Sequence, residues 1–357
     1  MSSDRMTAAE RMRALTNKQP IDRTPVVSAA SLYNALLVGQ TAEEYYLNPE
    51  KALEASLWAM ELHGHDDSPS YNIPGGAGWD FGGELVFPKG LRAAMPVLAR
   101  KAVSKESDVE RLTLPDLNTA PCASRLREFG RLARKLGYPV SIPGGSPTGV
   151  AGLIVEVDLL MRWFIKAPEL AHRVYRLATD YILAVAEEAM EEFGADNLSV
   201  FATYPFDSHA MISPRIFRKF ALPYVQEIHT KLLARGVNRW RIHLCADHTK
   251  NLECWRSEIP LAPRTAFQIG HEMDTAKVSA FFGGAHIVSG NVQTDLLLRG
   301  TPEQVLQECR RQIEHMKDQP GGFVLSPACG LPPETPPANV HAMVKAARLY
   351  GACGFAA

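Results

Sequence analysis

The chain lacks an excess of either charge: 38 Lys and Arg stand against 39 Asp and Glu in 357 residues, a formal net charge of −1. Binding nucleic acid through its phosphates needs a basic face that displaces counterions, so nucleic acid is excluded as a main partner. Long apolar runs are also missing. Each is broken by charge well before the roughly 18 residues of a membrane span, and the opening MSSDRMTAAERMR is amphipathic, without the apolar stretch of a signal peptide. A cytoplasmic protein with no membrane partner is expected. Cysteine is sparse, with six at positions 122, 245, 254, 309, 329 and 353, too scattered for a disulfide framework. In a reducing compartment they are thiols or metal ligands. No G-x-G-x-x-G fingerprint is present, because Gly75-Gly76 and Gly144-Gly145 lack the strand-turn-helix context of a dinucleotide site.

What remains is an ordinary globular composition, 46% hydrophobic and 22% charged, with ample material for a core. From Thr24 onward short β-branched runs alternate with helix-period segments. Eight candidate strands result: TPVVSAA from Thr24, DDSPS from Asp66, YPVSIPGG from Tyr138, NLSVFATY from Asn197, RWRIHLC from Arg239, TAFQIG from Thr265, AHIVSG from Ala285 and GFVLSPAC from Gly322. Most are continuously apolar, as strands covered by helices on both faces are. The count points to an α/β fold of the (β/α)8 TIM-barrel type, although a doubly wound open sheet gives similar local patterns. We expect one domain over 1–357, with an N-terminal helical segment at 1–23. The Gly/Pro-rich stretch YNIPGGAGWDFGGELVFPKGLRAAMP (71–96) reads as a lid-like insertion.

Several helices are well marked. Pro168 opens one with Leu170, Val174, Leu177 and Tyr181 at three- or four-residue spacing and Gly194 at its end. Ser213-Pro214 opens another, with a stripe of Phe217, Ala221, Tyr224 and Ile228 and a kink expected at Pro223. The last starts near Pro336-Pro337 and buries Val340, Met343, Val344 and Ala347.

The chemistry concentrates at His243-Leu244-Cys245, closing the fifth candidate strand, and at Cys329, just after the eighth. Side chains two apart on a strand share a face, so His243 and Cys245 turn a nitrogen and a sulfur the same way. In a parallel barrel all strands end on one rim, where Cys329 can join them. One His and two Cys form the ligand set of a catalytic zinc with its fourth position open, though free cysteines are also common packing residues.

These residues carry a resemblance. FDSHAMISPRIFRKFALPY from Phe206, SGNVQTDLLLRGTPEQV from Ser289 and GGFVLSPACGLPPETPPANVHAMVKAAR from Gly321 resemble segments of the uroporphyrinogen decarboxylase superfamily, within it the corrinoid-dependent methyltransferases. The resemblance implies a TIM barrel in which the branch's His-x-Cys motif and later lone Cys, as zinc ligands, fall on His243, Cys245 and Cys329. It further implies methyl transfer between a corrinoid such as methylcobalamin and a small acceptor or donor: a thiol bound to zinc as thiolate takes the methyl from cobalt, or a methoxy compound delivers it in the reverse direction. The corrinoid is expected on a separate carrier protein, since Asp207-Ser208-His209 is not followed by the Gly of an Asp-x-His-x-x-Gly motif.

Two departures stand out. The decarboxylases hold a polycarboxylate substrate with an Arg-rich motif, whereas SAASLYNALLVGQ (28–40) contains no arginine, which disfavours the alternative of a metal-free decarboxylase. A non-catalytic corrinoid-binding barrel is a third reading. Ala246 stands where the methyltransferase branch often has Gly.

Other residues have two readings each. Glu272 occupies the fourth zinc position or accepts a proton beside His271, or it is a helix N-terminal carboxylate. Asp207 and His209 orient a ligand, or bind one another and nearby backbone. Glu84 faces substrate or solvent. Asn291 binds a substrate or corrinoid edge, or shapes a strand-end turn. His248 competes as a ligand, or lies in the first turn of a helix beginning near Thr249 and faces away. Cys122, Cys254, Cys309 and Cys353 read as structural thiols.

Overall fold

The computed structural model describes residues 4–91 and 94–353. Residues 1–3 of the N-terminal segment and 92–93 of the lid-like insertion lie outside the described residues. Among the described residues eight strands are present: β1 Glu84–Val86, β2 Val97–Arg100, β3 Val140–Pro143, β4 Leu198–Thr203, β5 Trp240–Leu244, β6 Ala266–Ile269, β7 Ile287–Val292 and β8 Phe323–Pro327. The first two form their own antiparallel pair, and the other six form a parallel sheet in chain order. Five of those six fall within expected strands, and β7 starts inside the seventh but runs two residues past its expected end at Gly290.

The chain forms two compact units, one of residues 1–40, 54–69 and 263–357, the other of residues 41–53 and 70–262. In the first, β6, β7 and β8 pair in parallel. The N-terminal helix Ala8–Thr16, opened by a Thr7–Glu10 capping box, packs Leu15 with Val27, Ile287 and Val324 in one apolar cluster.

The first two expected strands are not strands here, and the reason is chemical. The run after Thr24 meets β8 at a single bridge, Val26 to Leu325, with Val27 N donating to Leu325 O at 2.9 Å and Leu325 N to Pro25 O at 2.9 Å. Pro25 has no N–H with which to lengthen that ladder. Beside it, Asp66 N donates to Val26 O at 2.6 Å. The return bonds go to side chains, however: Val26 N donates to Asp66 Oδ2 at 2.8 Å and Ser28 N to Asp67 Oδ2 at 2.7 Å. Two carboxylates thus take backbone donors that a regular ladder would use.

In the second unit β3, β4 and β5 pair in parallel. Gly144 serves packing: a Cβ there would lie 2.0 Å from Val200 Cγ1. The insertion is more ordered than its composition implies, holding the helix Gly76–Asp80 and β1, which pairs with β2 just beyond it, Glu84 lying opposite Arg100. Asp80 anchors it, accepting from Cys122 N at 2.6 Å, Ala123 N at 3.0 Å and the Tyr181 hydroxyl at 2.7 Å.

The helix Pro168–Phe193 ends at Gly194 as expected, but its buried stripe is Ala171, Val174, Tyr175, Ala178, Tyr181 and Ile182, with Leu170 and Leu177 half-buried at its margin. Ahead of Pro223 the chain forms a π-helical turn, Phe217–Ala221, between Pro214–Ile216 and Leu222–Ala234. The wider turn shifts the helical phase, so Val225 rather than Tyr224 continues the buried stripe to Ile228. The closing helix Pro337–Tyr350 buries all four expected residues. Among the described residues no helix is long and apolar enough to cross a membrane.

Candidate metal centre

His243 is the fourth residue of β5, apolar-flanked and buried, and Cys245 follows the strand directly at half-burial. The chain then turns through Ala246 with φ 63°, the left-handed region that disfavours a Cβ. Glycine would meet no such penalty there.

Cys329 is the exposed cysteine of the six and follows β8 by two residues. Backbone bonds grip it from both sides: Ala328 N donates to Val292 O at 2.8 Å and Leu331 N to Ala29 O at 3.2 Å. One step earlier, Gln268 Nε2 donates to Pro327 O at 3.1 Å. One ligand atom from each of His243, Cys245 and Cys329, an imidazole nitrogen and two sulfurs, lies within 4.8 Å of the others. Among the described residues this is the one group of three or more His, Cys, Asp or Glu so arranged.

Glu272 is not in that group. It is exposed, lies 3.6 Å from its neighbour His271, and precedes the helix Thr275–Phe281, whose N-cap is Asp274. Glu84 corrects toward its solvent reading, with a side chain 62% exposed and 3.9 Å from Arg100. Asn291 also changes role. Its amide donates to Gly270 O at 3.0 Å and Met273 O at 2.7 Å, so both amide hydrogens hold the loop after β6 and neither is left for a ligand. Gln312 Oε1 accepts from its backbone N at 2.9 Å.

Asp207 and His209 do not bind one another. Asp207 is fully buried and accepts from the hydroxyls of Ser146 and Thr148, the latter at 2.5 Å, while Tyr175 donates to Thr148 Oγ1 at 2.9 Å. Burial pushes its carboxyl up to about 6, against the two hydroxyl donors that favour the charged form. His209 binds backbone, its Nε2 accepting from Lys250 N at 2.9 Å. His248 is buried at the N-cap of the short 3-10 turn Thr249–Asn251. Its Nε2 lies 2.9 Å from Tyr204 O and 3.1 Å from Cys245 O, and burial lowers its pKa to about 4, leaving a neutral ring.

Sequence reasoning missed Ser146, Thr148, Tyr175 and Gln268. Ser146 did carry a signal: it precedes Pro147 just after a strand, and it caps the helix Pro147–Ile154 by accepting from Gly149 N at 2.9 Å. The other three carry none, because their partners are distant in sequence. Cys122, Cys254 and Cys309 are buried, and burial pushes each thiol up, as fits structural positions.

Comparison with known proteins adds a family and a fold. The family model described as uroporphyrinogen decarboxylase (URO-D) matches residues 7–350. The chain is 25% identical over 355 residues to a methylcobamide:CoM methyltransferase of Methanosarcina acetivorans, covering 96% of this chain and 98% of that relative. It is also 25% identical over 370 residues to a uroporphyrinogen decarboxylase of Xanthomonas axonopodis pv. citri, covering 96% and 98%. Among solved structures, a methyltransferase from Methanosarcina mazei superposes with a TM-score of 0.79 at 24% identity, covering 97% of this chain and 99% of that one.

Proposed function

The chain belongs to the uroporphyrinogen decarboxylase family and has its α/β-barrel fold, and from that premise we propose that it is a zinc-dependent methyltransferase working between a corrinoid on a separate carrier protein and a small thiol or methoxy compound. The observation that carries this reading is the approach of one nitrogen and two sulfur donors to within 4.8 Å. A tetrahedral zinc with bonds of about 2.0–2.1 Å to nitrogen and about 2.3 Å to sulfur asks for donor separations of about 3.5–3.8 Å. The donor set also fits in kind, since soft thiolates with one imidazole select zinc over oxygen-seeking cations.

His243, Cys245 and Cys329 would hold the ion. Bound there, zinc supplies the charge that lowers the pKa of an incoming thiol, making it a nucleophile at neutral pH. With the thiol's proton released to solvent, the sulfur would take the methyl group of the corrinoid co-substrate, the carbon–sulfur bond forming as the cobalt–carbon bond breaks with its electron pair left on cobalt. The protein's part is to line up sulfur, methyl and cobalt and to keep water away. The relatives named as methylcobamide:CoM methyltransferases support a thiol acceptor of this class.

A second reading has an observation behind it, because relatives of equal coverage are named uroporphyrinogen decarboxylases. A metal-free decarboxylase must clamp several carboxylates. The arginine-free stretch 28–40 instead holds the helix Leu32–Leu37, with Leu32, Tyr33, Asn34 and Ala35 buried, and offers no cation. The two readings separate in one assay. The protein is mixed with methylcobalamin and CoM or a simple alkyl thiol, and cobalt(I) absorbance is followed with and without a chelator. Cobalt(I) formation that chelation abolishes and zinc restores supports the methyltransferase. Absence of demethylation with any thiol, together with chelator-resistant decarboxylation of a tetrapyrrole polycarboxylate, would establish the alternative.

A further inference from the structure

Within the unit of residues 41–53 and 70–262, the loop carrying Cys245 is fastened along its length to the loop after β4. Tyr204 N donates to His243 O at 2.9 Å, and His209 N donates to Asp247 O at 2.9 Å. His209 Nε2 accepts from Lys250 N at 2.9 Å, and Asn251 Nδ2 donates to Asp207 O at 3.4 Å. At the centre sits His248, fully buried, with Nε2 2.9 Å from Tyr204 O and 3.1 Å from Cys245 O. Carbonyl oxygens only accept, so Nε2 carries the ring hydrogen and shares it between the two loops.

The bond to Cys245 O falls at a sensitive point. That carbonyl belongs to the peptide joining Cys245 to Ala246, and Ala246 is held at φ 63°. Left-handed backbone is unfavourable for a residue with a Cβ, and rotation of this peptide would relieve it. Such a rotation would also change ψ of Cys245, and the χ1 rotamers open to its Sγ depend on that angle. A donor fixed on the carbonyl oxygen opposes the rotation.

We propose that His248 is the positioning residue of the metal centre, holding the Cys245–Ala246 peptide so that the Cys245 thiolate is pre-aimed, with His209 as its outer support. His248 itself binds neither metal nor substrate. The inference deepens the zinc reading above and rests on it.

The test uses the full chain, loaded with zinc or with cobalt(II) as spectroscopic probe, and compares wild type with His248→Leu, His248→Gln and His209→Ala. Zinc affinity is measured by competition with a chromophoric chelator, and ligand geometry by the cobalt(II) ligand-field and thiolate charge-transfer bands. His248→Leu is expected to weaken zinc binding about 10- to 100-fold, the range for lost support of a metal ligand, and to alter the cobalt bands. His248→Gln, which keeps an N–H donor, is expected to recover most of both. If His248→Leu does not fold, His209→Ala at a half-buried side chain carries the test: affinity lowered several-fold supports the proposal, and unchanged affinity with unchanged bands overturns it. A wild-type chain that binds neither zinc nor cobalt would overturn the zinc reading itself. A wild type that binds, with a folded His248→Leu variant matching it in affinity and spectrum, would overturn the positioning role alone.

Discussion

The guanidinium of Arg11 meets the carboxylate of Asp66 where each side chain is 1% exposed. Arg11 also donates to Asp22 from Nε at 2.7 Å and from Nη2 at 2.9 Å, and Arg23 Nη1 donates to Asp66 at 2.8 Å. These bonds fasten the N-terminal helix to the extended run beginning at Thr24. Removing one member leaves buried charge without its partner, so Arg11→Ala is expected to lower stability by about 3–5 kcal/mol. Urea unfolding monitors this, and a loss below about 1 kcal/mol would contradict it.

Asp207 predicts a pH dependence. Its folded-state carboxyl, at about 6, stands above the ordinary 3.8, so the folded chain keeps a proton that the unfolded chain releases. The stabilising term is complete below about pH 4 and is lost as pH rises through about 6, for a swing of about 3 kcal/mol. In Asp207→Asn the term is absent. The stability difference between wild type and variant, measured by urea unfolding at pH 4 and pH 7, should therefore move against the wild type as pH rises. A pH-independent difference refutes the assignment.

Ala246→Gly relieves a left-handed alanine, worth about 1–2 kcal/mol, and loosens the unfolded chain by about 0.4–1 kcal/mol. A net gain of about 0.5–1 kcal/mol is expected in the urea midpoint. A destabilised variant would contradict the account of this turn.

Asn291→Ala strips two hydrogen bonds from the loop after β6, at the carbonyls of Gly270 and Met273. Stability should fall by about 1–3 kcal/mol, with faster amide hydrogen exchange confined to the 270–273 loop. Unchanged exchange there would leave Asn291 without this role.

Local pattern carried six of the eight expected strands, because apolar β-branched runs such as those of β4 and β5 need no distant partner to be recognised. It failed at Thr24 and Asp66, where Pro25 and two carboxylates replace the ladder. No periodicity encodes an aspartate that accepts a neighbouring strand's N–H. Likewise the stripe of the Pro214 helix was off by one residue because the π turn at Phe217–Ala221 has no propensity signature. At the candidate site, His243 and Cys245 were legible from their two-residue spacing on a strand, and Cys329 from its strand end. Glu84, Asn291 and His248 show the limit. Their environments depend on Arg100, on the loop after β6 and on Tyr204, none of which spacing in the chain brings near.

Whether one nitrogen and two sulfurs hold a metal is read out by zinc K-edge X-ray absorption on the purified chain. One zinc per chain is expected, with two sulfurs at about 2.3 Å and nitrogen or oxygen at about 2.0–2.1 Å, the sulfur count falling to one in Cys245→Ser and in Cys329→Ser. Zinc without sulfur neighbours, or a chain fully active in methyl transfer without zinc, would contradict it.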